Sequence, residues 1–114
     1  MENQHLKIVG KVIHGQENGH KLGFPTANLN FSGKLEAGVY AGNVEFEGKK
    51  YKAAIVYFPE KSLLEAHLLD FSGNLYNKEM RVEIVEKIRE IIKFKNSEEL
   101  IKQIKKDLEI IRRK

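Results

Sequence analysis

The chain has 114 residues and a formal net charge of +4, from 20 Lys and Arg against 16 Asp and Glu. That length fits one domain, residues 1–114, because a single hydrophobic core commonly serves about 100–150 residues. The absence of cysteine excludes disulfides, thiolate metal sites and a cysteine nucleophile. No apolar run approaches the roughly 18 residues of a membrane span, and the first residues lack the order of a signal peptide. We therefore expect a cytoplasmic, monomeric protein without a membrane partner.

Most of the chain before residue 90 has the pattern of short β-strands. Leu6, Ile8 and Val12 alternate with charged residues, as in a strand with one buried face. Further strand-like runs are Val39–Phe46, Tyr51–Phe58, Leu63–Phe71 and Met80–Ile88. The first two of these runs are joined by Glu47-Gly48-Lys49-Lys50, a short glycine-containing connection typical of a β-hairpin.

A change of hydrophobic period predicts one helix near the C-terminus. Apolar residues recur there at spacings of four and three, the stripe of an amphipathic helix: Leu100, Ile104, Leu108 and Ile111. Asn96 is positioned to cap this helix, and Glu99 completes a capping-box-like pair. Short strands followed by a helix predict a small closed antiparallel β-barrel with the helix packed on it, because closure removes exposed strand edges.

The basic residues are concentrated in the same C-terminal stretch: Lys102, Lys105, Lys106, Arg112, Arg113 and Lys114, interleaved with Asp107 and Glu109. This mixture of charges predicts a solvated helix face. An RNA-binding module would display aromatic side chains beside its basic residues, and here the aromatics lie mostly in the strand-like runs. A nucleic-acid-binding barrel is therefore the least favoured function, and we expect no nucleic-acid partner.

One segment does not have the composition of a scaffold. Three glycines recur every fourth residue and would let the backbone approach an anion closely: Gly15, Gly19 and Gly23. His20 and Lys21 lie between them and could meet phosphate charge, and Pro25 stiffens the end of the segment. The alternative, a glycine-rich connection between strands with an Asx turn, stays open.

Thr26 and Asn28 follow this segment directly. Two residues apart on an extended strand, they point to the same side. A hydroxyl and an amide oxygen so placed are hard ligands of the kind that Mg²⁺ takes together with nucleotide phosphates.

Glu65 and His67 share one face of a strand that is otherwise apolar. A carboxylate there is costly to bury unless it is paired or used. Such a glutamate can have a raised pKa and serve as a general base. The alternative is a structural Glu65–His67 pair at the rim of the barrel.

Taken together, these motifs resemble the riboflavin kinase family. The resemblance is carried in chain order by Gly15, Gly19, Leu22-Gly23-Phe24-Pro25-Thr26-Ala27-Asn28, Gly38-Val39-Tyr40, Leu64-Glu65-Ala66-His67-Leu68-Leu69-Asp70-Phe71 and Leu75-Tyr76. It continues through Ile88-Arg89, Phe94 and the final helix. It implies a mainly β fold, a small six-stranded antiparallel closed barrel with a C-terminal α-helix. It also implies the kinase domain standing alone, because the adenylyltransferase domain that precedes it in bacterial relatives has no counterpart motif here.

The resemblance further implies a reaction and a role for each matching residue. The reaction is the Mg²⁺-dependent transfer of the ATP γ-phosphate to the 5′-hydroxyl of riboflavin, giving FMN. Glu65 corresponds to the catalytic glutamate, Thr26 and Asn28 to the Mg²⁺ ligands, and Arg89 and Phe94 to part of the flavin pocket. The implied nucleotide-binding residues are Gly15, Gly19, His20, Lys21, Gly23, Pro25, Thr26 and Asn28.

Two departures from the family pattern favour an alternative function. His20 stands where the family usually has arginine. The run from Ala53 to Lys61 leads directly into the Glu65 strand, where bacterial relatives usually carry a longer loop. The alternative is a module of altered specificity, or one that binds flavin or nucleotide without catalysing transfer.

Overall fold

The computed structural model describes residues 6–13, 26–71 and 78–114. The strands in these residues are β1 (Leu6–Lys11), β2 (Thr26–Asn30), β3 (Gly38–Phe46), β4 (Lys49–Phe58), β5 (Leu63–Leu68) and β6 (Glu79–Arg89), and the helix is α1 (Ser97–Arg112). They form one antiparallel sheet in the order β1-β6-β3-β4-β5-β2. The predicted mainly β fold with a C-terminal helix is confirmed.

The sheet is a half-barrel that stays open between its end strands, so the predicted closed barrel is wrong. Val12, immediately after β1, donates its backbone N–H to Lys78 beside β6 rather than toward β2. Among the described residues after β1, only Ile13 pairs with β2, donating its N–H to the Asn28 carbonyl at 2.8 Å. A closed barrel needs a continuous ladder of hydrogen bonds between the first and last strands in the sheet order, and this single bridge does not provide one.

The inner face of the sheet encloses the larger hydrophobic core, to which every strand contributes. Its fully buried members include Leu29, Val44, Ile55, Leu64, Val82 and Ile84. The hairpin between β3 and β4 turns at Glu47 and Gly48, whose φ angles are 51° and 79°, as a two-residue type I′ turn requires. The predicted hairpin is therefore confirmed.

Phe71 belongs to this inner core and does not share the face of Glu65. Its ring makes edge contacts with Phe46 and Tyr51, at centroid distances of 5.6 and 5.2 Å. The preceding residue, Asp70, has a φ angle of 56°, in the left-handed region. The backbone turn at Asp70 reverses the order in which side chains alternate between the two faces of the sheet. The expectation that the strand pattern runs unbroken to Phe71 is wrong for this reason.

Helix α1 packs across the outer face of the sheet. Asn96 caps it, accepting a hydrogen bond from the Glu99 backbone N–H at 2.9 Å, as predicted. The Glu99 carboxylate accepts from the backbone N–H of Lys95 rather than from that of Asn96. The apolar stripe of the helix meets small and aliphatic residues of the sheet in a second core: Ala41, Ala54, Leu69, Ile104, Leu108 and Ile111.

Ile88 packs against this second core rather than inside the half-barrel. The β3–β6 ladder has two register shifts, next to Ala41 and next to Val39. Such irregularities reverse the alternation of side chains locally, so the predicted strand-like run Met80–Ile88 alternates regularly only as far as Ile84. No helix in the described part of the chain has the length and apolarity needed to cross a membrane.

Candidate active site

Strands β2 and β5 place four polar side chains together on the outer face of the sheet. Thr26 is paired with His67, and Asn28 with Glu65, in the antiparallel register. The intervening residues of both strands point into the inner core and are fully or almost fully buried: Ala27, Leu29, Leu64, Ala66 and Leu68. Because the pleat alternates, the apolar residues fix the register and thereby bring the four polar groups into one cluster.

Asn28 contributes a buried acceptor. The residue is 4% exposed, and its Oδ1 has no hydrogen-bond partner among the described residues. A buried carbonyl oxygen left unpaired costs about 1–3 kcal/mol, so this atom calls for a partner that the described residues do not supply. An amide oxygen suits a hard cation such as Mg²⁺.

His67 is buried and neutral at pH 7. Burial lowers the pKa of its imidazole from 6.5 to about 4, and Asp107 opposes this effect only in part. Its Nδ1 lies 3.1 Å from the hydroxyl oxygen of Thr26. Its Nε2 lies 3.8 Å from Oε1 of Glu65, but a neutral ring makes this contact a polar approach rather than an ion pair.

Glu65 is a half-buried carboxyl whose pKa is shifted upward. Burial raises the pKa above its usual value of 4.5, while the charge of Lys61 acts in the opposite direction. The side chain keeps 27% of its exposure, so a substrate hydroxyl can reach it. A carboxylate with a raised pKa and access to the cavity is suited to accept a proton.

These groups line a cavity of about 200 Å³ between the outer face of the sheet and helix α1. Thr26, Glu65 and His67 form its polar side. Its apolar side includes Val39, Val56, Phe58, Ile91, Phe94 and Leu100. A largely apolar cavity with a few convergent polar groups is the usual form of a small-molecule site.

Arg89 and Asp107 close the helix end of the cavity. The Arg89 guanidinium donates to both carboxylate oxygens of Asp107, at 2.9 and 2.7 Å. Gln103 donates a further hydrogen bond to Asp107 at 3.0 Å. Asp107 is 3% exposed, so the expectation that it belongs to a solvated face is wrong; the neighbouring Lys105, Lys106 and Glu109 are exposed as expected.

The structure therefore brings Thr26, Glu65, Arg89 and Phe94 to one cavity, with Asn28 beside Glu65 in the ladder. The other predicted nucleotide-binding residues lie outside the described residues: Gly15, Gly19, His20, Lys21, Gly23 and Pro25. Asp107 was missed by sequence reasoning. A signal existed, since Asp107 stands three residues after Ile104 and four before Ile111, on the apolar stripe of the helix.

Residues 6–13, 26–71 and 78–114 contain no group of three His, Asp or Glu side chains that could hold a metal ion. Amide and hydroxyl oxygens are also hard donors, of the kind that Mg²⁺ takes together with the oxygens of a phosphate ligand. Asn28 and Thr26 supply that kind of donor set.

Comparison with known proteins gives consistent results. The family model described as riboflavin kinase matches residues 2–114. The bifunctional riboflavin kinase/FMN adenylyltransferase of Haemophilus influenzae is 38% identical over 112 residues, covering 90% of this chain and 36% of the relative. That of Buchnera aphidicola is 39% identical over 119 residues, covering 95% of this chain and 38% of the relative. The chain thus spans little more than a third of the length of these curated relatives.

Solved structures share the fold. The riboflavin kinase from Trypanosoma brucei superposes with a TM-score of 0.67 at 25% identity, over 93% of this chain and 76% of that one. A structure described as a macrolide-efflux protein from Streptococcus pneumoniae gives a TM-score of 0.78 at 30% identity, over 94% of this chain and 36% of that one.

Proposed function

This chain belongs to the riboflavin kinase family, and from that premise we propose that it transfers the γ-phosphate of ATP to the 5′-hydroxyl of riboflavin. The products are FMN and ADP. The observation that carries the proposal is the position of Glu65, a half-buried carboxyl on the polar side of an otherwise apolar cavity, directly beside Asn28. The proposal includes a monomeric enzyme, because all the residues it requires belong to one chain, and it keeps the cytoplasmic location expected from the sequence.

Glu65 is the general base of the proposed reaction. Its carboxylate accepts the proton of the riboflavin 5′-hydroxyl while the oxygen forms a bond to the γ-phosphorus. The bond between that phosphorus and the β,γ-bridging oxygen breaks, and ADP leaves with the electron pair. Positioning and charge stabilisation supply most of the rate in phosphoryl transfer, and one oriented base completes the arrangement.

Thr26 and Asn28 are the proposed ligands of Mg²⁺. The unpaired, buried Oδ1 of Asn28 supports this assignment, because a cation would satisfy an acceptor that the described protein groups leave unsatisfied. When bound, the ion would neutralise charge on the phosphates. The residues Gly15, Gly19, His20, Lys21, Gly23 and Pro25 are proposed to complete the nucleotide site.

The apolar side of the cavity is the proposed flavin site. Aliphatic and aromatic walls suit the flat ring system of a flavin, and Phe94 contributes an aromatic side chain to the cavity lining. The guanidinium of Arg89 is committed to Asp107 and to the Glu90 carbonyl. We therefore assign Arg89 to shaping the pocket, by holding α1 in place over it.

A second candidate function is a flavin- or nucleotide-binding module without transferase activity. The observation that favours it is the short connection between β4 and β5, which consists of the single turn Pro59–Lys61 and Ser62. Fewer residues there enclose the substrates. The retained Glu65 favours the kinase, because binding alone requires no base.

Incubation of the protein with riboflavin, ATP and Mg²⁺, followed by chromatographic separation of FMN from riboflavin, tests the proposal. The kinase predicts FMN and ADP in equal amounts, and none with a chelator. Binding of riboflavin or ATP without any FMN would favour the second candidate instead.

A further inference from the structure

We propose that His67 is a positioning residue that orients the Thr26 hydroxyl toward the metal site. Its Nδ1 accepts a hydrogen bond from the Thr26 hydroxyl, so that the lone pairs of Oγ1 face away from the imidazole. This inference rests on the proposed function, since it assigns a role within the same site. In this role His67 holds Thr26, a proposed metal ligand, in place and does not itself contact the substrate.

The contact between the two residues is direct and shielded from solvent. Thr26 and His67 are cross-strand partners on β2 and β5, and Oγ1 and Nδ1 lie 3.1 Å apart. His67 is 7% exposed, which makes the ring rigid and its hydrogen bond strong relative to one in water. A threonine hydroxyl has one proton and two lone pairs, so the direction of that proton decides where the lone pairs point.

The surroundings of the ring favour one tautomer. Oε1 of Glu65 lies 3.8 Å from Nε2, and a carboxylate at that position favours a proton on Nε2. Nδ1 is then unprotonated and can only accept. The opposite tautomer would place a proton between Nδ1 and Oγ1, so that one of the two lone pairs of the hydroxyl would face the ring instead of the metal site.

A group that hydrogen-bonds a metal ligand fixes the orientation of that ligand. Loss of such a partner typically weakens metal affinity about 10–100-fold. A purely structural histidine at this position would affect the stability of the β2–β5 pair and leave the metal requirement unchanged. The two roles therefore differ in the Mg²⁺ concentration that the protein requires, which can be measured.

The variants His67→Asn and His67→Gln separate these roles. The Asn side chain places its amide oxygen close to the position of Nδ1 and can still accept from Thr26. The Gln side chain extends toward the position of Nε2 and loses the acceptor at Nδ1. Tyr57→Phe is a matched control, because it also deletes one part-buried hydrogen bond. That bond runs from Tyr57 to the Phe31 carbonyl in the larger core, on the inner face of the sheet.

The readout is the Mg²⁺ concentration at which ATP reaches half of its maximal effect on Tm. We expect the Gln variant to need about 10–100-fold more Mg²⁺ than the wild type, and the Asn and Tyr57→Phe variants to resemble the wild type. A folded Gln variant with the wild-type requirement, or Asn and Gln variants impaired equally, would overturn the inference. A wild-type Tm that does not respond to ATP with Mg²⁺ would instead contradict the proposed function.

A spectrum of the unaltered protein tests the tautomer without any variant. A long-range ¹H–¹⁵N correlation spectrum distinguishes a protonated from an unprotonated ring nitrogen, and the His67→Asn spectrum identifies which signals belong to His67. We expect an unprotonated Nδ1 and a protonated Nε2 at pH 7. A protonated Nδ1 would overturn the inference even if both variants failed to fold.

Discussion

Asn28 and Glu65 are direct cross-strand partners on β2 and β5. The amide oxygen of Asn28 is buried and unpaired among the described residues, and the carboxyl of Glu65 reaches the cavity. A candidate metal ligand and a candidate base are thus fixed to each other by backbone hydrogen bonds rather than by loops. Residues on strands are held more precisely than residues on loops. The register of this pair of strands is therefore what the proposed chemistry depends on.

Replacement of Thr26 by valine tests the metal site. Valine keeps the β-branched shape and so preserves the strand, but it removes the hydroxyl. ATP should raise the Tm of the wild type more with Mg²⁺ than with a chelator, by mass-action linkage, and this difference should disappear in Thr26→Val. Thr26→Ser, which keeps the hydroxyl, is the matched control. An undiminished Mg²⁺ effect in the valine variant would remove Thr26 from the metal site.

Replacement of Arg89 by methionine tests how α1 is held over the cavity. The change leaves the buried Asp107 carboxylate with Gln103 as its remaining described side-chain partner. Loss of one partner of a buried pair typically costs about 3–5 kcal/mol. Urea unfolding should show a loss of this size, and Arg89→Met with Asp107→Leu should recover part of it. A loss below about 1 kcal/mol, the range of exposed ion pairs, would show that the pair does not anchor the helix.

The pKa of His67 predicts a pH dependence of stability. The folded imidazole has a pKa of about 4 against 6.5 for the ordinary group, so between these values the unfolded chain binds a proton that the folded chain does not. The free energy of unfolding should therefore fall as the pH drops from about 6.5 to about 4, by roughly 3 kcal/mol in total. Glu65, whose pKa is raised, contributes with the opposite sign above pH 4.5.

The difference between the wild type and His67→Asn isolates the contribution of His67, because the carboxyl groups titrate in both proteins. Urea unfolding from pH 4 to 7 with a chelator present should show a difference that grows with pH across the window. Two curves that remain parallel would contradict a buried, neutral His67.

The short β4–β5 connection predicts weak binding of riboflavin to the protein alone. The turn Pro59–Lys61 has no buried residue, so it covers little of a ligand in the cavity. Affinity should rise when nucleotide fills the neighbouring site and excludes water. Titration of riboflavin fluorescence with and without a non-hydrolysable ATP analogue measures this. Tight binding to the nucleotide-free protein would show that a longer enclosing loop is unnecessary.

The sequence predicted the local parts of this structure and fewer of its long-range ones. Alternation identified the face that Glu65 and His67 share, and the cap at Asn96 marked where the helix begins. Closure of the barrel could not be predicted, because it depends on how far the chain after β1 pairs with β2. The buried Arg89–Asp107 pair could not be predicted either, since it joins residues 18 positions apart on elements whose packing the local pattern does not specify.

The variant Glu65→Gln tests most directly whether Glu65 is the general base. Glutamine keeps the shape and one acceptor oxygen but cannot take up the proton of the ribityl hydroxyl. A positioned base typically contributes about 10²–10⁴-fold, so kcat for FMN formation should fall by that factor, with little change in the binding of nucleotide and flavin. Tm is measured on the same preparation, because a structural Glu65–His67 pair predicts lost stability with normal turnover. A Glu65→Gln protein that forms FMN at the wild-type rate would contradict the account.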